Sequence, residues 1–315
     1  MIPFARFFRP RFLLVATLFA TPSLVLAQNT WKGRDGDWDE AKNWSKNALP
    51  PLKIVPPVKK APANAKPPSS VKPSAPTPTP TKAAAADIAV KAPALPAPTT
   101  LATPNAVIIG AGTSTWHADR QGDFSVEIPV LMTKKGGWKQ TGGPSWIFVR
   151  NGGSLTITDA TFDGGTSANF IVGSDTPGHV LMNGADSVLT LPAGELKLRR
   201  NATFTLQAGN VFAELVSFDD AAEGTHGVLT LAGGTLTLSG NAYGGVYGGG
   251  EHHYINFPPG SKAVILLTAI ESDAAYEQLE KGGIRFNNRI DLNAFKIEPR
   301  EGSGTKITLD PAAKP

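Results

Sequence analysis

From Pro104 to the C-terminus the chain is written in short segments that alternate apolar with polar residues and stop at glycine, asparagine or aspartate. "NAVIIGAG", "DFSVEIPVLM", "SWIFVRNGGSLTITDATF", "SVLTLPAGELKL", "ATFTLQAGNVFAELVSF" and "VLTLAGGTLTLSG" all follow this rule. Successive side chains of a strand point to opposite faces, so a period of two marks half-buried strands. Helical spacing is nearly absent. The exception is "SDAAYEQLEKGG", Ser272 to Gly283. There Ala275, Tyr276 and Leu279 form a short apolar stripe between a Ser or Asp cap and a glycine stop, which predicts one short helix near the C-terminus.

An internal repeat narrows the all-β architectures. Val188–Leu198 ("VLTLPAGELKL") and Val228–Leu238 ("VLTLAGGTLTL") align without a gap, 40 positions apart. The triplet Gly153-Leu155-Ile157 precedes Gly194-Leu196-Leu198 by 41. Regular recurrence of a supersecondary unit is the mark of a coiled or stacked fold, and a unit of this size reads as two rungs of roughly 20 residues each. Glycines fit the tight corners. Inward leucines and isoleucines then form columns, each side chain contributing roughly 1.5–3 kcal/mol by burial. The expectation is a right-handed β-solenoid over residues 105–310 with a tail at 311–315. A β-sandwich or jelly roll is the alternative that the same alternation permits.

The first 104 residues are of another kind. Arg6, Arg9 and Arg11, the apolar run "FLLVATLFA" and the small residues of "VLA" before Gln28 read as a secretory signal peptide over 1–27. Its apolar core is far shorter than the ~20 residues a bilayer span requires. Export to the periplasm, cell surface or medium of a bacterium is the expected destination. The chain has no cysteine, so stability outside the cell rests on burial and backbone hydrogen bonds. Residues 49–104 hold fifteen of the 27 prolines and seven lysines against one acid, Asp87. Proline-rich sequence with few large apolar side chains cannot build sheet or long helix, which predicts a disordered tether. The formal +4 of the whole chain, less +3 in the signal peptide and +6 in the tether, leaves −5 elsewhere. The basic balance is therefore local and gives no reason to expect nucleic acid as a partner.

Between leader and tether, residues 28–48 carry Trp31, Trp38 and Trp44, half of the six tryptophans, in a stretch rich in Gly, Asp and Lys. Three indoles cannot offset the ordering of such a segment alone. Closing the tether as a loop adds only about 3.5 kcal/mol. The expectation is that this segment docks on the β domain as a cap. A sugar-binding platform is the competing use of three tryptophans.

The order signal peptide, Trp31-x-Gly33-x-x-Gly36-x-Trp38, then Asn43-Trp44-Ser45, then Pro104 with "AVIIGAG" and the Gly-x-Leu-x-Ile/Leu units, resembles bacterial autotransporter-associated β-strand repeat proteins. These are glycine-rich, exported, passenger-like proteins. The resemblance implies a β-helical protein of the cell surface. It departs where the tether separates the tryptophan segment from the first long strand.

Chemistry-bearing motifs are sparse. No nucleophile elbow, zincin helix, phosphate loop or cysteine occurs. "EHHY" (Glu251–Tyr254) sets His252 and His253 side by side, and neighbours on a strand face opposite ways, which suits chelation poorly. Asp219, Asp220, Glu223 and His226 are oxygen-rich but lack a defined coordination spacing. No metal or cofactor is expected. The ligand candidates are Tyr243, Tyr247 and Tyr254 as an aromatic patch. These readings combine into an exported, non-enzymatic structural or adhesive protein of the cell surface or extracellular matrix, with polysaccharide or cell-wall polymer as the partner class. The alternative is a carbohydrate-binding or polysaccharide-degrading β-helix.

Overall fold

The strands are at most five residues long, and three of them, joined by turns of chain, make one turn of a coil. The computed structural model describes residues 29–46, 48–50, 106–165, 169–174, 176–218, 225–240, 245–300 and 303–313. The expected signal peptide and all but the first two residues of the tether lie outside them. The first, partial turn is β1 (Asn29–Thr30) and β2 (Gly36–Asp37). Full turns follow: β3 (Val107–Ile109), β4 (Thr113–His117) and β5 (Phe124–Val126), with the one-turn helix α1 (Ala118–Gln121) at a corner. Next come β6 (Pro129–Thr133), β7 (Gly137–Thr141) and β8 (Ile147–Val149), then β9 (Ser154–Thr158), β10 (Thr161–Asp163) and β11 (Phe170–Val172). The coil continues with β12 (His179–Met182), β13 (Val188–Thr190) and β14 (Glu195–Leu198), then β15 (Thr203–Leu206), β16 (Asn210–Ala213) and β17 (Leu215–Ser217). It closes with β18 (Gly227–Leu231), β19 (Thr235–Leu238) and β20 (Val246–Tyr247), then β21 (His253–Phe257), β22 (Val264–Leu267) and the helix α2 (Ser272–Glu280). Three strands end the chain: β23 (Ile284–Phe286), β24 (Phe295–Pro299) and β25 (Thr305–Leu309).

The strands form three walls. The first has nine strands in the order β1-β3-β6-β9-β12-β15-β18-β21-β23. The second has ten, β2-β4-β7-β10-β13-β16-β19-β22-β25-β24, and the third has six, β20-β17-β14-β11-β8-β5. Neighbouring strands run parallel up to β22, after which β25 joins antiparallel to both β22 and β24. The fold is a right-handed β-solenoid with two short helices, and the sandwich alternative is set aside by this parallel stacking.

Inward side chains stack in columns. In the first wall Val107, Val130, Leu155, Val180, Phe204, Leu229, Ile255 and Ile284 lie in register, all buried. The step between them runs from 23 residues (Val107 to Val130) to 29 (Ile255 to Ile284). The second wall contributes Ser114, Trp138, Phe162, Leu189, Val211, Leu236 and Ile265, and the third Phe124, Ile147, Phe170, Leu196, Val216 and Val246.

This register corrects the rung size expected from the 40-residue repeat. Val188 starts a second-wall strand, whereas Val228 lies in the first wall, opposite Thr203 rather than above Val188. Gly153-Leu155-Ile157 borders the first wall and Gly194-Leu196-Leu198 the third. The sequence match reports a strand–corner–strand unit that recurs at different corners, not a vertical stack.

The true period is carried by small residues at the corners. Between first and second walls, the carbonyls of Gly112, Gly136, Ala160, Ser187, Gly209 and Gly234 each accept from the amide that opens the second-wall strand of the next turn. At Gly209 (φ +90°) an added Cβ would lie 2.4 Å from the Ser187 carbonyl oxygen, so backbone stacks directly on backbone. Between third and first walls Gly153, Gly178 and Ala202 form a second such column.

Both ends of the coil are closed. At the C-terminal end α2 follows β22 where a further third-wall strand would run, and the β24–β25 hairpin covers the second wall. The outer strand β24 carries Lys296 and Glu298, which pair with each other and, through Glu298, with Lys306, and it ends on Pro299. Charge and proline on an edge strand block further pairing. The helix occupies nine residues of the stretch Ser272–Gly283, as expected for a short helix stopped by glycine. Its N-cap is Glu271, without a side-chain bond, and Tyr276 faces solvent while Ala275, Gln278 and Leu279 are buried.

Candidate functional site

The three tryptophans of the aromatic leader are buried. Trp31 and Trp38 are 3 % exposed and Trp44 0 %, which leaves no open indole face for a sugar there. β1 pairs with β3 and β2 with β4, so the leader supplies the turn beneath the first full rung. Trp44 meets Trp31 and Trp38 edge-on, with centroids at 5.0 and 4.7 Å, and its Nε1–H donates to the Trp38 carbonyl at 3.0 Å. The contact chain continues through Trp38–Phe124, Phe124–Trp138 and the stacked pair Trp138–Phe162 at 4.3 Å. The N-terminal end of the core is thus aromatic, and the indoles act as a plug.

A polar seam fastens the plug on the outside. Asp37 of β2, His117 of β4 and Thr141 of β7 occupy successive turns of the second wall. Asp37 Oδ1 lies 2.8 Å from His117 Nε2, and Thr141 Oγ1 lies 3.1 Å from His117 Nδ1. A proton on Nε2 satisfies both contacts, with Asp37 accepting and Nδ1 accepting from the hydroxyl. Arg120 Nη2 adds a 3.3 Å contact to Asp37 Oδ2. The hydrogen bond from His117, aided by Arg120, holds the Asp37 carboxyl below its ordinary range despite some desolvation. The order carboxylate–imidazole–hydroxyl matches that of a proton relay. Its members each come from a different rung, and the contacts tie the leader to the coil.

Two of the three tyrosine candidates lie on different walls. Tyr243 lies outside the described residues. Tyr247 ends β20 in the third wall and is exposed, whereas Tyr254 belongs to β21 in the first wall and is 9 % exposed. The corner Gly248–Gly250 turns the chain between the walls and separates Tyr247 from Tyr254. Tyr254 is a packing residue. Its hydroxyl donates to Asn288 Oδ1 at 3.1 Å and the Arg285 guanidinium lies 4.4 Å from its ring centroid. Burial raises its pKa, partly offset by Arg285. Tyr247 lines a cleft of about 490 Å³ with Val246, Gly248, Gly249, Glu277, Gln278 and Lys281, between the end of the third wall and α2. Glu277 and Lys281 pair across one helical turn at 2.6 Å.

The start of β21 divides "EHHY", with His252 in the bend before the strand and His253 its first residue. His253 is buried and His252 lies outside, 5.0 Å from His226 by ring centroids. Burial, with His226 and His252 adding positive charge nearby, lowers the His253 pKa. Among the described residues no group of three or more His, Asp or Glu side chains is arranged to hold a metal ion. Asp219, Asp220 and Glu223 lie outside the described residues.

One residue escaped the sequence reading. Trp146, just before β8, is 48 % exposed, while the other five tryptophans are buried. The signal was present in "SWIFVRNGG", where Trp146, Phe148 and Arg150 occupy the outward phase of the alternation against inward Ile147 and Val149. An aromatic on the polar phase of a strand is the unusual feature. Among the described residues, no helix is long and apolar enough to cross a membrane. Comparison of the chain with family models, curated proteins and solved structures finds no match in any of the three.

Proposed function

We propose that this is an exported structural or adhesive β-repeat protein of the bacterial cell surface or extracellular matrix. The observation that carries this reading is a coil plugged at one end by indoles and closed at the other by α2 and a charged hairpin. Such a body does not lengthen by stacking on copies of itself, so its walls are the surfaces it offers. The basic, apolar, small-residue leader at 1–27 supports export. The resemblance of the Trp–Gly leader and Gly-x-Leu-x-Ile/Leu units to autotransporter-associated repeat proteins supports the surface assignment. The Pro/Lys tract supports a spacer, with lysines placed to meet anionic polymer. Cell fractionation with N-terminal sequencing tests this. The expected product begins near Gln28 and is found at the surface or in the medium. An uncleaved chain in the cytosol overturns the proposal, and release of saccharide from a polysaccharide panel replaces it with an enzyme. The exposed Trp146 favours a second, compatible reading, that one wall binds carbohydrate.

A further inference from the structure

We propose that Trp146, together with Glu127 and Arg150, forms a stacking subsite for neutral pyranose units of a polysaccharide. The proposal rests on the carbohydrate-binding reading above and assigns it to a place on the third wall.

The backbone at Trp146 is fixed from both sides. Its amide donates to Asp123 Oδ1 at 2.8 Å, and its carbonyl accepts from the Phe124 amide at 3.0 Å. The indole stands edge-on to Phe148, centroid to centroid 5.9 Å at 68°. Arg150 covers the same Phe148 ring at 4.6 Å, so the aromatic and charged groups form one outward ledge. The guanidinium is held by Nε alone, to Glu127 Oε1 at 3.2 Å and to Ser125 Oγ at 3.1 Å. Ser125 Oγ in turn donates to Glu127 Oε1 at 3.1 Å. Among the described residues, both Nη groups of Arg150 and Oε2 of Glu127 make no hydrogen bond. The two side chains keep 20 % and 18 % of their surface open.

A flat apolar face beside outward donors and an acceptor fits a sugar, whose ring presents C–H groups on one face and hydroxyls around its rim. The alternatives lack their requirements. β8 is hydrogen-bonded to β5 on one side and β11 on the other, so no edge remains for a peptide to add as a strand. Arg150 and Glu127 cancel in charge, so the ledge offers no field for nucleic acid or an anionic lipid surface. Holding both side chains in place before binding reduces the ordering cost that weakens flexible sites.

The test exploits the placement of the tryptophans. Five are buried, so collisional quenching of tryptophan emission by acrylamide reports chiefly on Trp146. Purified mature protein is titrated with soluble β-glucan, xylan, galactomannan and their hexasaccharides, with polygalacturonate as the anionic comparator. The expected result is that at least one neutral polymer shields Trp146 from acrylamide. Trp146→Ala is expected to weaken that binding about tenfold or more, and Trp146→Phe to restore part of it. Glu127→Gln and Arg150→Gln should each weaken it while melting curves show the folded coil. The proposal is overturned if no neutral polymer shields Trp146 or if Trp146→Ala binds as tightly as the parent. It is also overturned if only polygalacturonate binds and salt abolishes it, or if a protein is the sole ligand that shields the indole. Binding in vitro by a protein found in the cytosol would refute the surface assignment and leave the subsite standing. Surface localisation without binding would do the reverse.

Discussion

Replacing Trp44 with alanine should release the leader and spare the coil. Trp44 is fully buried, touches two other indoles and spends its N–H on the Trp38 carbonyl. Burying ~200 Å² of indole at ~25 cal/mol per Å² contributes about 5 kcal/mol. Partial collapse of the cavity brings the loss to about 3–5 kcal/mol, the range measured for large aromatic truncations in cores. The leader is held to the rest by short strands at one end of the stack, β1 on β3 and β2 on β4. Segments of that kind open locally with free energies well below that of the whole molecule. The loss should therefore appear as leader undocking, with amide exchange over residues 29–46 faster by roughly two to three orders of magnitude. Strands β9 to β19 should keep their protection, because their neighbours above and below are untouched. Hydrogen exchange read by mass spectrometry on peptides from both regions is the assay. Unchanged exchange at 29–46 would refute the plug. Equal loss of protection across β9 to β19 would refute its separability.

Acid should act on the same end of the molecule. The folded-state pKa of Asp37 is depressed, so the stability it contributes is present above the ordinary carboxylate value of 3.8 and is lost as pH falls through the lower folded value. Leader exchange measured against pH should rise in that acid range and lose this component in Asp37→Asn, and an identical profile in the variant would contradict the seam. Corner glycines should differ sharply in tolerance. Gly209→Ala, whose Cβ would sit 2.4 Å from the Ser187 carbonyl, is expected to lower the melting temperature by several degrees, at a cost of about 1–3 kcal/mol. Gly152→Asn, with φ +76° and open space around the position, should be close to neutral, and equal melting temperatures for the two variants would refute the stacked-corner argument. Truncation after Asn293 removes β24 and β25 and bares the edge of β22. Concentration-dependent oligomers by light scattering are expected, and a stable monomer would argue against edge protection by the hairpin. Deleting residues 51–103 should leave the melting temperature nearly unchanged in calorimetry, because Asn29 and Val107 pair across that gap. A large drop would overturn the spacer reading.

Alternation is a local property, and it determined much of this protein in advance. The inward phase of "SLTIT", "ELKL" and "TLTL" is the buried phase in the coil, because pleat geometry admits no other assignment once one face is covered. The glycine corners and the late helix follow from equally local rules. The three tryptophans of a polar segment could be read as needing a host, since such a segment cannot bury them by itself.

The height of a rung was not legible. "VLTLPAGELKL" and "VLTLAGGTLTL" share a pattern because any wall–corner–wall passage demands it, and the pattern is silent about which corner is being turned. Only closure of the coil sets the step at 23 to 29 residues, by requiring Val107, Val130 and Leu155 to stack on one wall. The site was decided at the same level. Tyr247 and Tyr254 are close in sequence and sit on different walls. Trp146 and Arg150 flank β8 and both meet Phe148, whereas Glu127, just past β5, reaches Arg150 only once β5 and β8 are adjacent. Local sterics choose strand and corner from nearby residues. Which outward side chains become neighbours depends on the residue count around a full turn, and that is fixed by the packing of the core.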